Sequence, residues 1–240
     1  MHDIKTVIIG IQARSTSHRF PRKVHELIGD KTVLQHVLSS CDSAINHINR
    51  WSHKNGIMAD KALLVPYGDE IVQKYSGVCK IIEGDENDVL SRYKKLIDDT
   101  YAHYVVRITA DCPFIKAPTI SKPIIVAVKT ALDYYGNVDP ETTTCINGFD
   151  FEVMSSNLVK WLDENAKTEY DREHVTPLAY NSPPHWAKTG HQMESINLSF
   201  VKLSVDTPED LQRMRDNYEH TRKAYRRAVQ KHGASNIHKF

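Results

Sequence analysis

The chain is expected to fold as an open α/β sheet, mostly parallel, and three observations carry that expectation. Short apolar runs of strand length recur at 7–11, 62–65, 78–82 and 104–109. Segments with apolar residues at helical spacing lie between them, and most of the runs stop at a polar, turn-forming cluster. Strands that alternate with helices in this way build parallel sheets.

Taken in order, the first run breaks into a polar loop that holds Gln12, Arg14, Ser15, Thr16, Ser17, Arg19, Arg22 and Lys23. A turn at 27–31 follows, and Thr32 is the expected cap of a helix through Leu34, Val37 and Leu38. Residues 46–61 are polar and poorly periodic, with the turn signal Asn55-Gly56, so an irregular excursion or small hairpin is expected there. The second strand ends at Pro66, and the helix after it carries Ile71, Val72 and Tyr75. After the third strand, Leu90, Tyr93, Leu96 and Ile97 mark one face of a longer helix at 89–100.

Beyond the fourth strand a helix is expected at 118–132, a loop-rich stretch at 134–145, a strand at 150–154 and a helix at 156–165. The polar cluster 170–177 opens another helix, and 195–205 reads as a hairpin or strand pair. Thr207, Pro208 and Asp210 form a helix start, with a cap, a proline in the first turn and an acid nearby, leading into a charged helix at about 208–231. With no repeat and no linker in view, the 240 residues are read as one domain.

A net charge of +1, from 31 basic and 30 acidic residues, removes the whole-chain electrostatic case for a nucleic-acid or membrane partner. No apolar stretch is long enough for a membrane helix and no signal-peptide pattern opens the chain, so a cytoplasmic location is expected. Cys41, Cys79, Cys112 and Cys145 are widely spaced without a C-x-x-C pair and are taken as reduced, small hydrophobes. The histidines are scattered singly, and His2, His220, His232 and His238 are expected to be exposed. The basic residues of the C-terminal helix read as a solvated face or an oligomer contact rather than an RNA-binding surface.

The chemistry concentrates at strand ends. Asp111 directly follows an apolar strand and precedes Pro113, and Asp206 stands in the same position after Ser204-Val205. Ligands of open α/β folds sit at that edge. Two hard oxygen ligands beside a phosphate chain suit Mg²⁺, which takes few protein carboxylates and completes its shell with water and phosphate oxygens. The basic loop before the first helix suits an anion. Alternation in D-F-E-V puts Asp150 and Glu152 on one strand face.

These motifs resemble a known family. Q-A-R-x-x-S-x-R-x-P-x-K-V at 12–24, G-D-E-N-D-V-L-S-R-Y at 84–93, R-I-T-A-D-C-P-F-I at 107–115 and L-S-V-D-T-P-E-D-L at 203–211 resemble segments of the cytidylyltransferases that activate acidic sugars. These are the SpsF-like spore-coat polysaccharide proteins and the enzymes that make CMP-KDO and CMP-sialic, legionaminic or pseudaminic acids. The resemblance spans 7–211 and implies a three-layer, Rossmann-like fold of the nucleotide-diphospho-sugar transferase (GT-A-like) type with a mostly parallel, mixed sheet.

It also implies roles. Gln12, Arg14, Ser17, Arg19 and Lys23 would bind the triphosphate of CTP, and Asp88 and Arg92 would border base and ribose. Asp111 and Asp206 would hold Mg²⁺, with Arg14, Lys23 and Asp111 as the catalytic set. Arg107, Asn147, Asp150, Glu152, Arg172, Glu173 and His174 would face a sugar or sugar-acid acceptor, and Lys116 and Arg172 suit an anionic group on it. The implied enzyme is a homodimer that couples CTP to the acceptor and releases pyrophosphate. A glycosyltransferase using a preformed nucleotide sugar, or a non-catalytic nucleotide-binding homologue, remain open on the same residues. Thr16, Arg22 and Ala110 depart from the pattern, each standing where the family carries Gly. Either side chains grip the triphosphate more than amides do, or the loop no longer grips it.

Overall fold

The computed structural model describes residues 4–232, with side chains described for all of them except 55, 222 and 224–232. The expectations for His2 and His238 fall outside the described residues, those for His232 and most of the basic face of the C-terminal helix fall outside the described side chains, and His220 is exposed.

The first strand is β1 (Lys5–Gln12), followed by a 3-10 turn (Lys23–His25) and the ribbon β2 (Leu27–Ile28) and β3 (Lys31–Thr32). Then come α1 (Val33–Arg50), α2 (Ser52–Asn55), β4 (Ile57–Pro66), α3 (Ile71–Tyr75), β5 (Lys80–Gly84), α4 (Val89–Thr100), β6 (Tyr104–Thr109) and α5 (Ala117–Thr130). The remainder is β7 (Tyr134–Gly136), β8 (Glu152–Ser155), α6 (Ser156–Asn165), α7 (Glu169–His174), α8 (Pro177–Asn181), β9 (Thr189–His191) and α9 (Pro208–His232).

The sheet runs β5-β4-β1-β6-β8-β7-β9. Its first four strands are parallel, and β8 lies antiparallel to both β6 and β7. The carboxyl ends of β5, β4, β1 and β6 therefore open on one edge, which is where ligands bind in such sheets.

Period-two alternation divides the core into two layers. Val7, Ile9, Ile11, Leu63, Val65, Val106, Ile108 and Val153 belong to one buried cluster with α1 and α5. Ala62, Leu64, Val105, Tyr134 and Met154 belong to the other, with α4, α6 and α8. A third cluster, Ile28, Val33, Val205, Leu211 and Met214, ties α9 to the β2-β3 ribbon and to the segment that carries Asp206.

Local signals act as expected at several element ends. Thr32 caps α1 through a reciprocal box with Gln35, Oγ1 accepting from the Gln35 amide at 3.1 Å and Gln35 Oε1 from the Thr32 amide at 2.8 Å. Leu90, Tyr93, Leu96 and Ile97 form the buried face of α4. Asp210 accepts from the Asp206 and Thr207 amides, and its own amide bonds Thr207 Oγ1, which closes the start of α9. The four cysteines are free.

Three expectations are corrected. Residues 46–61 are not an irregular excursion: α1 runs on to Arg50 because Cys41, Ala44 and Ile48 continue its buried face, and β4 begins at Ile57 with alternating exposure. Residues 195–205 form no hairpin, since an isolated bridge between Asn147 and Lys202 carries their ladder contact. Nor does Asp206 stand at a strand end: the strand before it is β9, and Asp206 lies two residues before α9; the stretch 134–145 is loop-rich as expected apart from β7, which pairs with β8 and β9.

Candidate active site

A cavity of about 330 Å³ opens at the carboxyl edge of β1 and β6. Gln12, Arg14, Ser17, Arg19 and Lys23 line one side, Asp111 and Asp206 the other, and Glu173 and His174 reach it from α7.

The loop 13–24 is stiffened from below. The Ser15 amide and hydroxyl both donate to Asp69, each at 2.7 Å, and the Ser15 hydroxyl lies 2.9 Å from His25 Nε2. Burial first, then the nearby Lys74, pushes the His25 pKa down. Arg22 has φ +62°, the left-handed region that favours glycine. The chain thus keeps the backbone shape of a glycine position while carrying an arginine. That side chain forks onto Glu70, at 2.8 and 3.0 Å, and so turns away from the cavity. Thr16 donates to Glu86 at 2.6 Å.

Lys23 is 8 % exposed and makes the central contact. Its Nζ donates to Asp111 Oδ2 at 2.6 Å, to the Val205 carbonyl at 2.7 Å and to Asp206 Oδ1 at 3.3 Å. The two carboxylates therefore converge on one cation-sized point. Asp206 also receives Arg19 at 3.0 Å and Lys202 at 2.9 Å. Burial opposes its ionisation, but Lys202 and Lys23 outweigh it and hold the carboxyl below the usual range. Among the described residues no group of three or more His, Cys, Asp or Glu side chains is gathered for a metal. Two converging carboxylates with neighbouring space fit a hard divalent cation that completes its shell from phosphate and water.

The spacing of the two acids has its own support. The Val205 amide donates to the Asp111 carbonyl at 2.8 Å, joining the two segments directly. Asn147 holds the second segment: its amide donates to the Val201 carbonyl, its carbonyl accepts from Leu203, and its side chain accepts from Ser204 at 2.8 Å. Gly148, at φ +104°, lies so close that an added Cβ would come within 2.6 Å of the Leu203 carbonyl carbon.

Other residues with expected roles lie apart from the cavity lining. Arg172 forks onto Asp88 at 2.9 and 2.7 Å and pairs with Asp163 at 2.9 Å, tying α4, α6 and α7 together. Asp88 also caps α4 through the Ser91 amide. Arg92 is buried against Gly84 and donates to the Leu64 carbonyl at 3.2 Å, while its Nε has no partner. Asn147 serves the latch just described, and Lys116 lines a separate cavity of about 490 Å³ with His36, Ser39 and Tyr218.

Beneath the cavity, Arg107 pairs with Glu152 across β6 and β8 and donates to Gln12 at 3.2 Å. Burial works against its charge, but the Glu152 carboxylate and Tyr93 more than compensate and keep its pKa raised. At Asp150 burial dominates: with further push from Glu152 and Asp111, it outweighs the Gly148 amide and the Arg107 charge and lifts the carboxyl to about 6. His174 packs at a tilt against Tyr170 with ring centres 4.4 Å apart, and Glu173 lies 3.9 Å from Arg14.

Sequence reasoning missed Lys202 and Asp69. Lys202 stands four residues before Asp206, a charge spacing that was legible, whereas the reach of Asp69 to Ser15 across 54 positions had no local signal.

Comparison with known proteins adds the following. A family model described as Cytidylyltransferase matches residues 66–233, which includes both acids and leaves out the basic loop. The chain is 28 % identical over 206 residues to protein MJ1063 of Methanocaldococcus jannaschii, covering 85 % of this chain and 79 % of that one. It is 23 % identical over 223 residues to the spore coat polysaccharide biosynthesis protein SpsF of Bacillus subtilis, covering 91 % and 88 %. Among solved structures it is similar to a cytidylyltransferase from Leptospira borgpetersenii serovar Hardjo-bovis, with TM-score 0.73 at 21 % identity over 95 % of this chain and 97 % of the other. A CMP:2-keto-3-deoxy-manno-octonic acid synthetase complexed with CTP follows, with TM-score 0.62 at 15 % identity over 90 % and 99 %. Rv0371c of Mycobacterium tuberculosis H37Rv in complex with manganese has TM-score 0.57 at 16 % identity over 89 % and 98 %. The shared architecture is the Rossmann-like fold of nucleotidyltransferases.

Proposed function

The chain belongs to the cytidylyltransferase family, and from that premise we propose that it is a Mg²⁺-dependent enzyme coupling CTP to a sugar or sugar-acid acceptor, with release of pyrophosphate. The observation that carries this reading is the convergence of Asp111 and Asp206 on the Lys23 ammonium, beside Arg14 and Arg19. An acceptor hydroxyl attacks the α-phosphorus; its P–O bond forms as the α–β bridging bond breaks, its proton passes to water, and pyrophosphate departs. Asp111 and Asp206 would hold Mg²⁺, which would supply charge neutralisation at the phosphates. Arg14, Arg19 and Lys23 stabilise the charge that collects on the leaving group, and no covalent nucleophile is required. Catalysis of this kind is mainly positioning and electrostatics.

CTP as the nucleotide is supported by the family and by the CTP complex of the synthetase neighbour. The manganese complex of a further neighbour supports a divalent metal. For the acceptor, Asp150, Glu173 and His174 are the proposed contacts, and the SpsF relative supports a polysaccharide building block.

The same reading takes the protein as a cytoplasmic homodimer without nucleic-acid or membrane partners. Its net charge is near zero, no helix among the described residues is long and apolar enough to cross a membrane, and Met193, Ile196 and Phe200 stand exposed within one short stretch of the chain.

The test is pyrophosphate release with Mg²⁺, each of CTP, UTP, GTP and ATP, and a panel of sugar acids and sugar phosphates. Release confined to CTP and one acceptor is expected. Metal-dependent CTP binding with transfer from a preformed nucleotide sugar, and no pyrophosphate, would make it a glycosyltransferase. No metal-dependent thermal shift with any nucleotide would remove the enzyme reading, because only ligands of the native state stabilise it.

A further inference from the structure

We propose that Gln12 is a specificity-determining contact whose amide is locked as a donor toward the ligand, and that Arg107 and Glu152 are the positioning residues that lock it. The inference rests on the reading of the cavity as a nucleotide and acceptor site.

Gln12 is the last residue of β1 and lines the cavity. Its Oε1 accepts from Arg107 Nε at 3.2 Å. A guanidinium has donors and no acceptor, so only the oxygen end of the amide can face it. The –NH₂ end is left for the cavity.

Arg107 is itself fixed. It stands opposite Glu152 in the β6-β8 register, and its Nη1 bonds Glu152 Oε2. Glu152 is 1 % exposed, and its other oxygen takes the hydroxyls of Thr176 and, at 3.5 Å, Tyr134. Thr176 follows Val175, which sits at φ +71° and ψ −53° while the Thr176 amide donates to the His174 carbonyl at 2.8 Å. That is a γ-turn of the rare, strained hand. At a β-branched residue it persists only because the surroundings impose it. The turn sets Thr176 on Glu152 and Glu173-His174 at the cavity wall.

The chain of contacts thus ends in a neutral donor beside Arg14 and Lys23. A site lined in this way favours a strong, anionic acceptor oxygen, as in a phosphate of the nucleotide or a carboxylate of the acceptor.

Gln12→Glu keeps the length of the side chain and the partner of Arg107 but turns an acceptor oxygen on the ligand. We expect it to fold with an unchanged or higher Tm and to weaken one constant by about 30-fold or more, the scale set by facing two acceptors without a proton between them. Titration with CTP and Mg²⁺, and the acceptor KM at saturating CTP, tell the two sources apart: a loss in the first assigns the contact to phosphate, a loss in the second to the acceptor. The double variant Arg107→Met/Glu152→Met replaces the buried pair by apolar side chains, an exchange proteins often tolerate. It frees the amide, so the same constant should weaken about fivefold, and adding Gln12→Met should then cost less than it does in the native background. Full additivity of Gln12→Met with the double variant would reduce Arg107 and Glu152 to structural residues. A folded Gln12→Glu protein with native CTP affinity and native acceptor KM would overturn the contact, even if the double variant failed to fold. Failure of the native protein to bind CTP would count instead against the proposed function.

Discussion

Two clusters in this protein are built from the same parts, one cation between two aspartates, and they behave differently. At the sheet edge Lys23 joins Asp111 and Asp206; between the helices Arg172 joins Asp88 and Asp163. Arg172 uses its planar fork on Asp88, which is also a helix cap, so every group there is committed to holding α4, α6 and α7. Lys23 offers a point charge without that planar fork, and its carboxylates come from loop segments, one after β6 and one just before α9. On the proposed function the two carboxylates exchange the ammonium for a metal, and what separates a site from a brace is then exchangeability rather than composition.

Substitutions break or sharpen that contrast. Asp111→Asn should lower the rate of pyrophosphate release by about 10³-fold with little change in Tm, since it removes charge where the metal is proposed to bind; an unchanged rate and metal requirement would return Asp111 to a structural role. Lys23→Met should lower the rate by about 10²-fold. It should also tighten Mn²⁺ binding without nucleotide by about tenfold, because the competing ammonium is gone; equal Mn²⁺ affinity in titrations of the two proteins would contradict exchange.

Arg172→Met addresses the other cluster. It should cost on the order of 1–2 kcal/mol of stability, the partly exposed pairs being worth less than buried ones. That is a fall of several degrees in Tm, with CTP affinity of the folded protein retained. A lost affinity at unchanged Tm would move Arg172 into the ligand site.

The smallest effect concerns Asp150, the buried acid beside the first cluster. Its folded pKa of about 6 lies above the ordinary aspartate value, so the folded state binds the proton more tightly than the unfolded chain. Stability should fall as pH rises through the interval from about 4 to about 6 and stay lower above it. Asp150→Asn should flatten that slope and raise the Tm at pH 8 relative to the native protein. Equal slopes in thermal melts from pH 4.5 to 7 would show that the carboxyl is not raised.

Much of this was legible in the sequence. The parallel strands announced themselves as apolar runs, and α4 and the cap of α1 by spacing and residue type. The place of Asp111 was legible because it follows the apolar run that is β6, whereas Asp206 follows no strand and is brought to it by the Val205–Asp111 backbone bond. The Arg107–Glu152–Gln12 chain was not, because it depends on the antiparallel register of β8 on β6, which no local pattern fixes. The commitment of Arg172 to Asp88 was equally hidden, since 84 positions separate them. Residues 46–61 misled because a polar helix end and the exposed face of β4 together look aperiodic.

The gap between the two acids behaves like a caliper with a fixed stop. One backbone hydrogen bond from Val205 to Asp111 sets the jaws, and the absent side chain of Gly148 lets the outer jaw seat against its frame. A methyl group at 148 touches neither acid, yet it would push the 203–204 backbone and reset the opening. The tolerance of the proposed reaction centre is thus written into a loop position that has no chemistry of its own.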